Sequence, residues 1–173
     1  NNMLSVGACA ITHDENIIST FYVNIKELDD HISDRKCMEE FWAHEQLAWL
    51  QLQENKLEFY DACYLLSEWL IELSKEYRLE FVSGPACFNW MFLKSYYEMA
   101  KMINKKIKYD IGYNCTCLTT ILSIHKKQSK MDAKQWSTFE TGLVNVNIVK
   151  LHNSLYDSQV KGLKFIRLLK IMA

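Results

Sequence analysis

Proline and glycine are scarce in this chain: Pro85 stands alone among 173 residues, and Gly7, Gly84, Gly112, Gly142 and Gly162 are isolated from one another. Without Pro- or Gly-rich stretches there is no obvious linker, so one domain spanning residues 1–173 is expected, large enough to bury a core without disulfides or structural metals. None of the glycines begins a Gly-x-x-x-x-Gly-Lys or Gly-x-Gly-x-x-Gly run, which removes the backbone cradle that nucleotide-driven motors and dinucleotide-binding folds require. Nor does any serine occupy a Gly-x-Ser-x-Gly elbow. No stretch approaches the roughly 18 consecutive apolar residues of a membrane helix, and no cationic start leads into an apolar run, so membrane contact and secretion lack support. Arginine is rare as well, 3 against 17 Lys, leaving few planar guanidinium groups for bidentate phosphate or guanine contacts. With 20 basic against 21 acidic residues the net charge is -1, which argues against bulk electrostatic binding of polyanions. Any nucleic-acid contact has to be local.

Six cysteines are present (Cys9, Cys37, Cys63, Cys87, Cys115, Cys117), mostly inside apolar periodic runs where free thiols behave as small hydrophobes. A reduced, cytoplasmic protein is expected. Met3 to Thr12 and Ile17 to Ile25 are β-branched and aromatic runs separated by Thr-His-Asp-Glu-Asn, which predicts an antiparallel hairpin. Asp34 to Gln53 has an irregular helical pattern, and Lys56 to Tyr77 a long amphipathic one with Phe59, Cys63, Leu66, Leu70 and Leu73 near the 3.6-residue period. A strand over Leu79 to Ser83, the Gly84-Pro85 turn and a helix from Cys87 to Ile103 come next. Lys106 to Tyr109 or Ile111 to Tyr113 is a candidate strand. Leu118 to His125, Asp132 to Thr141 and Leu151 to Met172 read as helices. A hairpin followed by strands alternating with helices predicts an α/β fold, a mixed sheet covered on both faces, because a parallel addition needs a crossover helix.

Four segments occur in a telling order: Phe21-Tyr22-Val23-Asn24-Ile25, Met38-Glu39-Glu40-Phe41-Trp42, Gly84-Pro85-Ala86-Cys87-Phe88-Asn89-Trp90-Met91-Phe92-Leu93, and His152-Asn153-Ser154-Leu155-Tyr156-Asp157. In order and spacing, from Met3 to Leu168, they resemble the DEDDh 3′-5′ exonucleases, in particular the small exoribonuclease branch. The resemblance implies an RNase H-like mixed sheet with an N-terminal antiparallel hairpin and helices on both faces. It implies that His152 is the general base that deprotonates water, that Asp157 is the final metal-binding carboxylate, and that Asn89 occupies the second-motif carboxylate position. Phe88 packs beside the site in that scheme, and Trp42 is placed to contact substrate. The family's first motif, an Asp-x-Glu pair, is missing, since Asn1 to Ala8 resembles the stretch of strand just beyond that pair.

These departures bear directly on the chemistry. Two divalent cations roughly 3.5–4 Å apart clamp a scissile phosphate, and hard ions such as Mg²⁺ or Mn²⁺ require anionic oxygen ligands. Of the family's four carboxylates Asp157 remains, while Asn89 offers a neutral oxygen, and Asp14 and Glu15 belong to the expected hairpin turn at the far end of the strand. Weak Mg²⁺ binding at best is expected. Either the sequence is a trimmed nuclease or it is a diverged homologue that kept the fold and lost the metals. The expected partner is a single-stranded RNA or DNA 3′ end, with a homodimer as a further possibility because related nucleases often dimerise. The competing reading is a non-catalytic nucleic-acid-binding or protein-interaction module that retains the fold only.

Each residue also has a plainer role. His152 and Asp157 fit a surface histidine and a first-turn acid, and Asn89 fits a cap after the Gly-Pro turn. Phe41 and Trp42 could stack on a base or pack in the core. Lys161, Lys164, Arg167 and Lys170 form a basic stripe that is either a solvated helix face or a phosphate-tracking edge. Cys115-x-Cys117 with His125 is too sparse a set to argue for zinc.

Overall fold

The computed structural model describes residues 2–28, 36–147 and 152–173. Asp34 and Leu151, expected to open the first helical region and the terminal helix, lie outside the described residues. Strands β1 (Ser5–Ile11) and β2 (Ile17–Asn24) form the expected antiparallel hairpin, in register at Val6↔Val23 and Ala8↔Phe21 with an irregularity between Ala10 and Ile11. Because successive side chains on a strand point to opposite faces, the hairpin has two distinct sides. Val6 and Val23 enter the main core, and on the same side Phe21 lies 5.8 Å from the Trp69 ring, whose Nε1 donates to Ser19 Oγ at 2.8 Å. Ser5, Gly7, Cys9 and Ile11 point the other way, toward the last helix.

Helix α1 spans Gln46–Leu52 and α2 spans Phe59–Ser74. In α2 the buried Phe59, Ala62, Cys63, Leu66 and Leu70 keep to the helical period and form one stripe against the hairpin and helix α3 (Ala86–Ile103). Full burial of an aliphatic or aromatic side chain contributes roughly 1.5–3 kcal/mol, so this stripe is the main adhesive of the fold. Tyr97 is fully buried beneath it and donates to Tyr109 O at 3.0 Å, and burial pushes its phenol up to about 12. After α3 come β4 (Thr116–Cys117), α4 (Leu118–Ser129), α5 (Ala133–Leu143) and α6 (Ser154–Met172); β3 is Val82–Ser83. Helix α5 begins at the Asp132 predicted from sequence. There the Asp132 carboxylate accepts from Gln135 N at 2.8 Å, while the Gln135 side chain accepts from Asp132 N at 2.9 Å.

The protein is thus a mixed α/β fold whose hairpin is packed between helices, α2 on one side and α6 on the other. The continuous mixed sheet expected from sequence is not what the described residues form. They carry two separate two-stranded sheets, β1-β2 antiparallel and β3-β4 parallel. The cause lies in the segments flanking α3. Leu79 and Phe81 turn their side chains into the core, and the backbone there bonds Thr116 N to Phe81 O at 2.8 Å instead of joining the hairpin. Neither candidate strand between Lys106 and Tyr113 forms. Ile107 and Ile111 anchor that segment in the core, while the N–H groups of Lys108 and Tyr109 are satisfied by the buried Ser67 hydroxyl at 3.1 and 3.0 Å. A side chain has replaced the ladder.

The helical pattern from Asp34 to Gln53 also divides, into a π-helical turn over Cys37–Trp42 and helix α1. Among the described residues no helix is long and apolar enough to cross a membrane.

Candidate functional site

The head of α6 sits across the N-terminal end of β1 because residue 7 is glycine. A Cβ at Gly7 would lie 2.1 Å from Ser154 C and 2.2 Å from Leu155 N, so any larger residue would push the helix away. Ser5 Oγ donates to Ser154 Oγ at 3.0 Å beside this contact. Asn153 caps the helix, its Oδ1 accepting from Leu155 N and Tyr156 N at 3.1 Å each. Further along, Gly162 faces Ile11 and Cys9, and Glu15 in the hairpin turn meets Arg167 and Lys170. Helix α6 therefore runs alongside β1 in the same direction, which puts His152 and Asp157 at the strand's start and Glu15 at its far end.

A second element closes on the helix head. Asn24 is buried, and its Nδ2 donates to Gln51 O at 2.7 Å and Glu54 O at 2.8 Å, fastening the end of α1 to the hairpin. Gln51 reaches on to Asn153, accepting from Nδ2 at 3.4 Å. With α1 fixed, the preceding π-helical turn presents Phe41 edge-on to the His152 ring, centroids 4.7 Å apart at 88°. Phe41 contacts Trp42 at 4.9 Å, and Trp42 contacts Trp49 at 5.6 Å. His152 has a left-handed backbone, φ 68, and its Nε2 is 3.9 Å from Glu45 Oε1. The structure thus brings two distant sequence signals, Phe41-Trp42 and His152, into one half-exposed aromatic corner. Neither of the two aromatic residues is fully buried.

Asp157 lies in the first turn of α6, its N–H bonded to Asn153 O at 2.9 Å. Asn89 occupies the first turn of α3 and donates from Nδ2 to Gly84 O at 3.1 Å, which ties the Gly-Pro turn to the helix. Phe88 is 56% exposed and stacks on Phe92 at 4.9 Å. Among the described residues no hydrogen bond, ion pair or ring contact joins Asn89 or Phe88 to His152 or Asp157. Nor do any three His, Cys, Asp or Glu side chains gather as a metal-holding group. The donor set therefore does not fit a pair of hard cations: Asp157 brings one carboxylate, and Asn89, held by its Nδ2 on Gly84 O, offers only a neutral oxygen that no contact among the described residues brings to Asp157.

The basic stripe of α6 is partly neutralised within the fold. Lys164 pairs with Glu140 at 3.6 Å, Lys170 with Glu15 at 2.9 Å, and Arg167 with Glu15 at 2.8 Å and Leu143 O at 2.5 Å. Three of the four cations of a phosphate-tracking edge are engaged in these contacts, and two carboxylates, Glu140 and Glu15, offset two of its four positive charges. Among the candidate zinc ligands, His125 packs against Phe139 at 5.2 Å and Trp136 at 6.1 Å. Cys115 is pushed up to about 11 by burial, whereas Cys117 is brought down to about 7, chiefly by a hydrogen bond from Thr120 and then by backbone N–H groups.

Glu45, Gln51, Asn153 and Gly7 were not singled out from sequence. Two of them left a signal: a lone glycine within a β-branched run marks close backbone approach, and an Asn directly ahead of a helix marks a cap. Glu45 and Gln51 left none, since their role depends on where α1 is fastened. Compared with known proteins, the chain matches no family model and no curated protein sequence.

Proposed function

We propose that the chain is a 3′-5′ exonuclease-like domain that acts on or binds the 3′ end of single-stranded or 3′-overhanging RNA or DNA, with catalysis impaired as the residues stand. One observation carries this reading: the imidazole of His152, the Phe41-Trp42 corner and the start of β1 meet at one place, although these segments are far apart in the chain. An Asp-x-Glu pair entering at that end of the hairpin would arrive beside the head of α6. Position sets the roles. His152 would take the proton from water, the exposed faces of Phe41 and Trp42 would stack on the terminal base, and Asp157 would contribute one carboxylate to Mg²⁺ or Mn²⁺. Such ions would supply charge neutralisation at the phosphate, but the residues present hold them weakly or not at all.

A second reading has its own support. The absence of a gathered carboxylate set among the described residues favours a metal-free nucleic-acid-binding or protein-interaction module. Two measurements decide between them. A single strand with a fluorescent 3′ end, incubated with Mn²⁺ and the chain carrying any native residues that precede Asn1, is shortened stepwise if the domain is an enzyme. Thermal melting of the chain rises with millimolar Mn²⁺ if the folded state holds the ion, by mass action. No shortening and no rise would leave the module.

A further inference from the structure

The carboxylate of Glu45 has no task in its own helix. Glu45 stands at the N-cap of α1, where a side chain ordinarily bonds the free N–H groups of the first turn, yet it makes no such bond. Its backbone is held firmly all the same, with N–H shared between Phe41 O and Trp42 O at 3.2 Å each and C=O accepting from Trp49 N at 2.9 Å. From this backbone its Oε1 lies 3.9 Å from Nε2 of His152, within ion-pair range and beyond a hydrogen bond, while Phe41 meets the ring edge-on. Asp157, in the first turn of the helix that follows the histidine, makes no ion pair with it among the described residues. The carboxylate facing the imidazole comes from the aromatic turn.

We infer that Glu45 is a positioning residue for His152, its negative charge on the Nε2 side favouring the proton there so that Nδ1 is left as the proton acceptor. This rests on the general-base role proposed for His152. The physical reason is that an anion beside one ring nitrogen stabilises the form carrying its proton there, and the other nitrogen then keeps its lone pair. As Nδ1 takes a proton from water, the imidazolium that forms is stabilised by the adjacent negative charge, an effect of position that a neutral amide of the same shape does not reproduce. The turn that offers a stacking surface would thereby also orient the base, coupling substrate seating to chemistry.

The test uses the full chain, wild type and the variants Glu45→Gln and Glu45→Asp. Nitrogen NMR of the histidine rings reads the proton's location without any activity. In Glu45→Gln, Nδ1 and Nε2 of His152 should both move toward the values of an exposed histidine, and Glu45→Asp should fall between that variant and wild type. His13, remote in the hairpin turn, serves as the unchanged reference. In the 3′-end assay Glu45→Gln should lower kcat about 10-fold or more with little change in KM, and Glu45→Asp should recover part of that loss. Identical ring-nitrogen spectra in wild type and Glu45→Gln would overturn the inference, as would unchanged kcat. If the spectra respond but no form of the chain, wild type included, shortens a strand, the nuclease reading fails while the positioning of the ring stands.

Discussion

Substituting Gly7 tests the placement of the whole site, because the head of α6 rests on that residue's missing side chain. In Gly7→Ala the new Cβ would meet Ser154 C at 2.1 Å, Leu155 N at 2.2 Å and Ser154 O at 2.4 Å, all backbone atoms. Ordinary contact begins near 3.4 Å, so helix or strand must retreat by roughly 1.3 Å. Overpacking of that kind costs about 1–3 kcal/mol. For a domain of this length each kcal/mol lowers Tm by roughly 2–4 °C, so calorimetry should show a fall of about 2–12 °C. The contact Ser5 Oγ to Ser154 Oγ at 3.0 Å should be lost with it, and amide exchange at the start of α6 should quicken. Gly162→Ala is the matched control. Its Cβ would meet the Ile11 Cδ1 at 2.5 Å, the far end of a side chain that can rotate away, and alanine is the better helix former by roughly 1 kcal/mol. Stability there should change by less than about 1 kcal/mol. If Gly7→Ala melts at the wild-type temperature with unaltered exchange in α6, the close approach of helix and strand is wrong, and with it the placement of His152 and Asp157.

Other expectations come from single contacts. Ser67→Ala leaves the N–H groups of Lys108 and Tyr109 without their buried acceptor, so stability should fall by about 1–3 kcal/mol in a denaturant titration, more than any exposed Ser→Ala change. Lys170 and Arg167 hold the Glu15 carboxyl below its ordinary range. A depressed acid stabilises the fold above its unfolded-state value and ceases to do so as pH falls through its folded-state value, so the Tm difference between wild type and Glu15→Gln should be present at neutral pH and fade as acidification carries the pH below the ordinary glutamate range and through the lower folded-state value. Among the described cysteine side chains Cys117, lowered to about 7, should be the one that maleimide labels fastest at neutral pH, and Thr120→Val should slow it, whereas the buried Cys63, pushed up to about 12, should stay unlabelled until the protein unfolds. Asn89→Asp alone should not yield robust Mn²⁺-dependent shortening of a single strand, because among the described residues position 89 is tied to Gly84 and has no contact with His152 or Asp157. Efficient cleavage by that variant would refute the ligand count.

The sequence by itself determined the local elements whose signals are short-range. The hairpin, α2, α3 and α6 are set by period and by β-branched runs, and the Asp132 start of α5 by its cap, because such patterns report which face of an element must leave water. The helical region before Gln53 was legible as helical but not as broken, since the π-helical turn at Cys37–Trp42 is set by aromatic packing with Trp49 and His152 and not by propensity. Sheet topology was not legible. Whether Leu79 to Ser83 joins the hairpin or pairs with Thr116–Cys117 depends on hydrogen bonds between segments more than 30 residues apart, and Ser67 diverts two of the N–H groups that a further strand would have used. The site divides in the same way. His152, Asp157, Phe41 and Trp42 could be named from order and spacing, but Glu45 became visible only when Asn24 fastened α1 to the hairpin and turned that carboxylate toward the imidazole. Periodicity encodes what each segment buries; only tertiary contact decides which charges come to face one another.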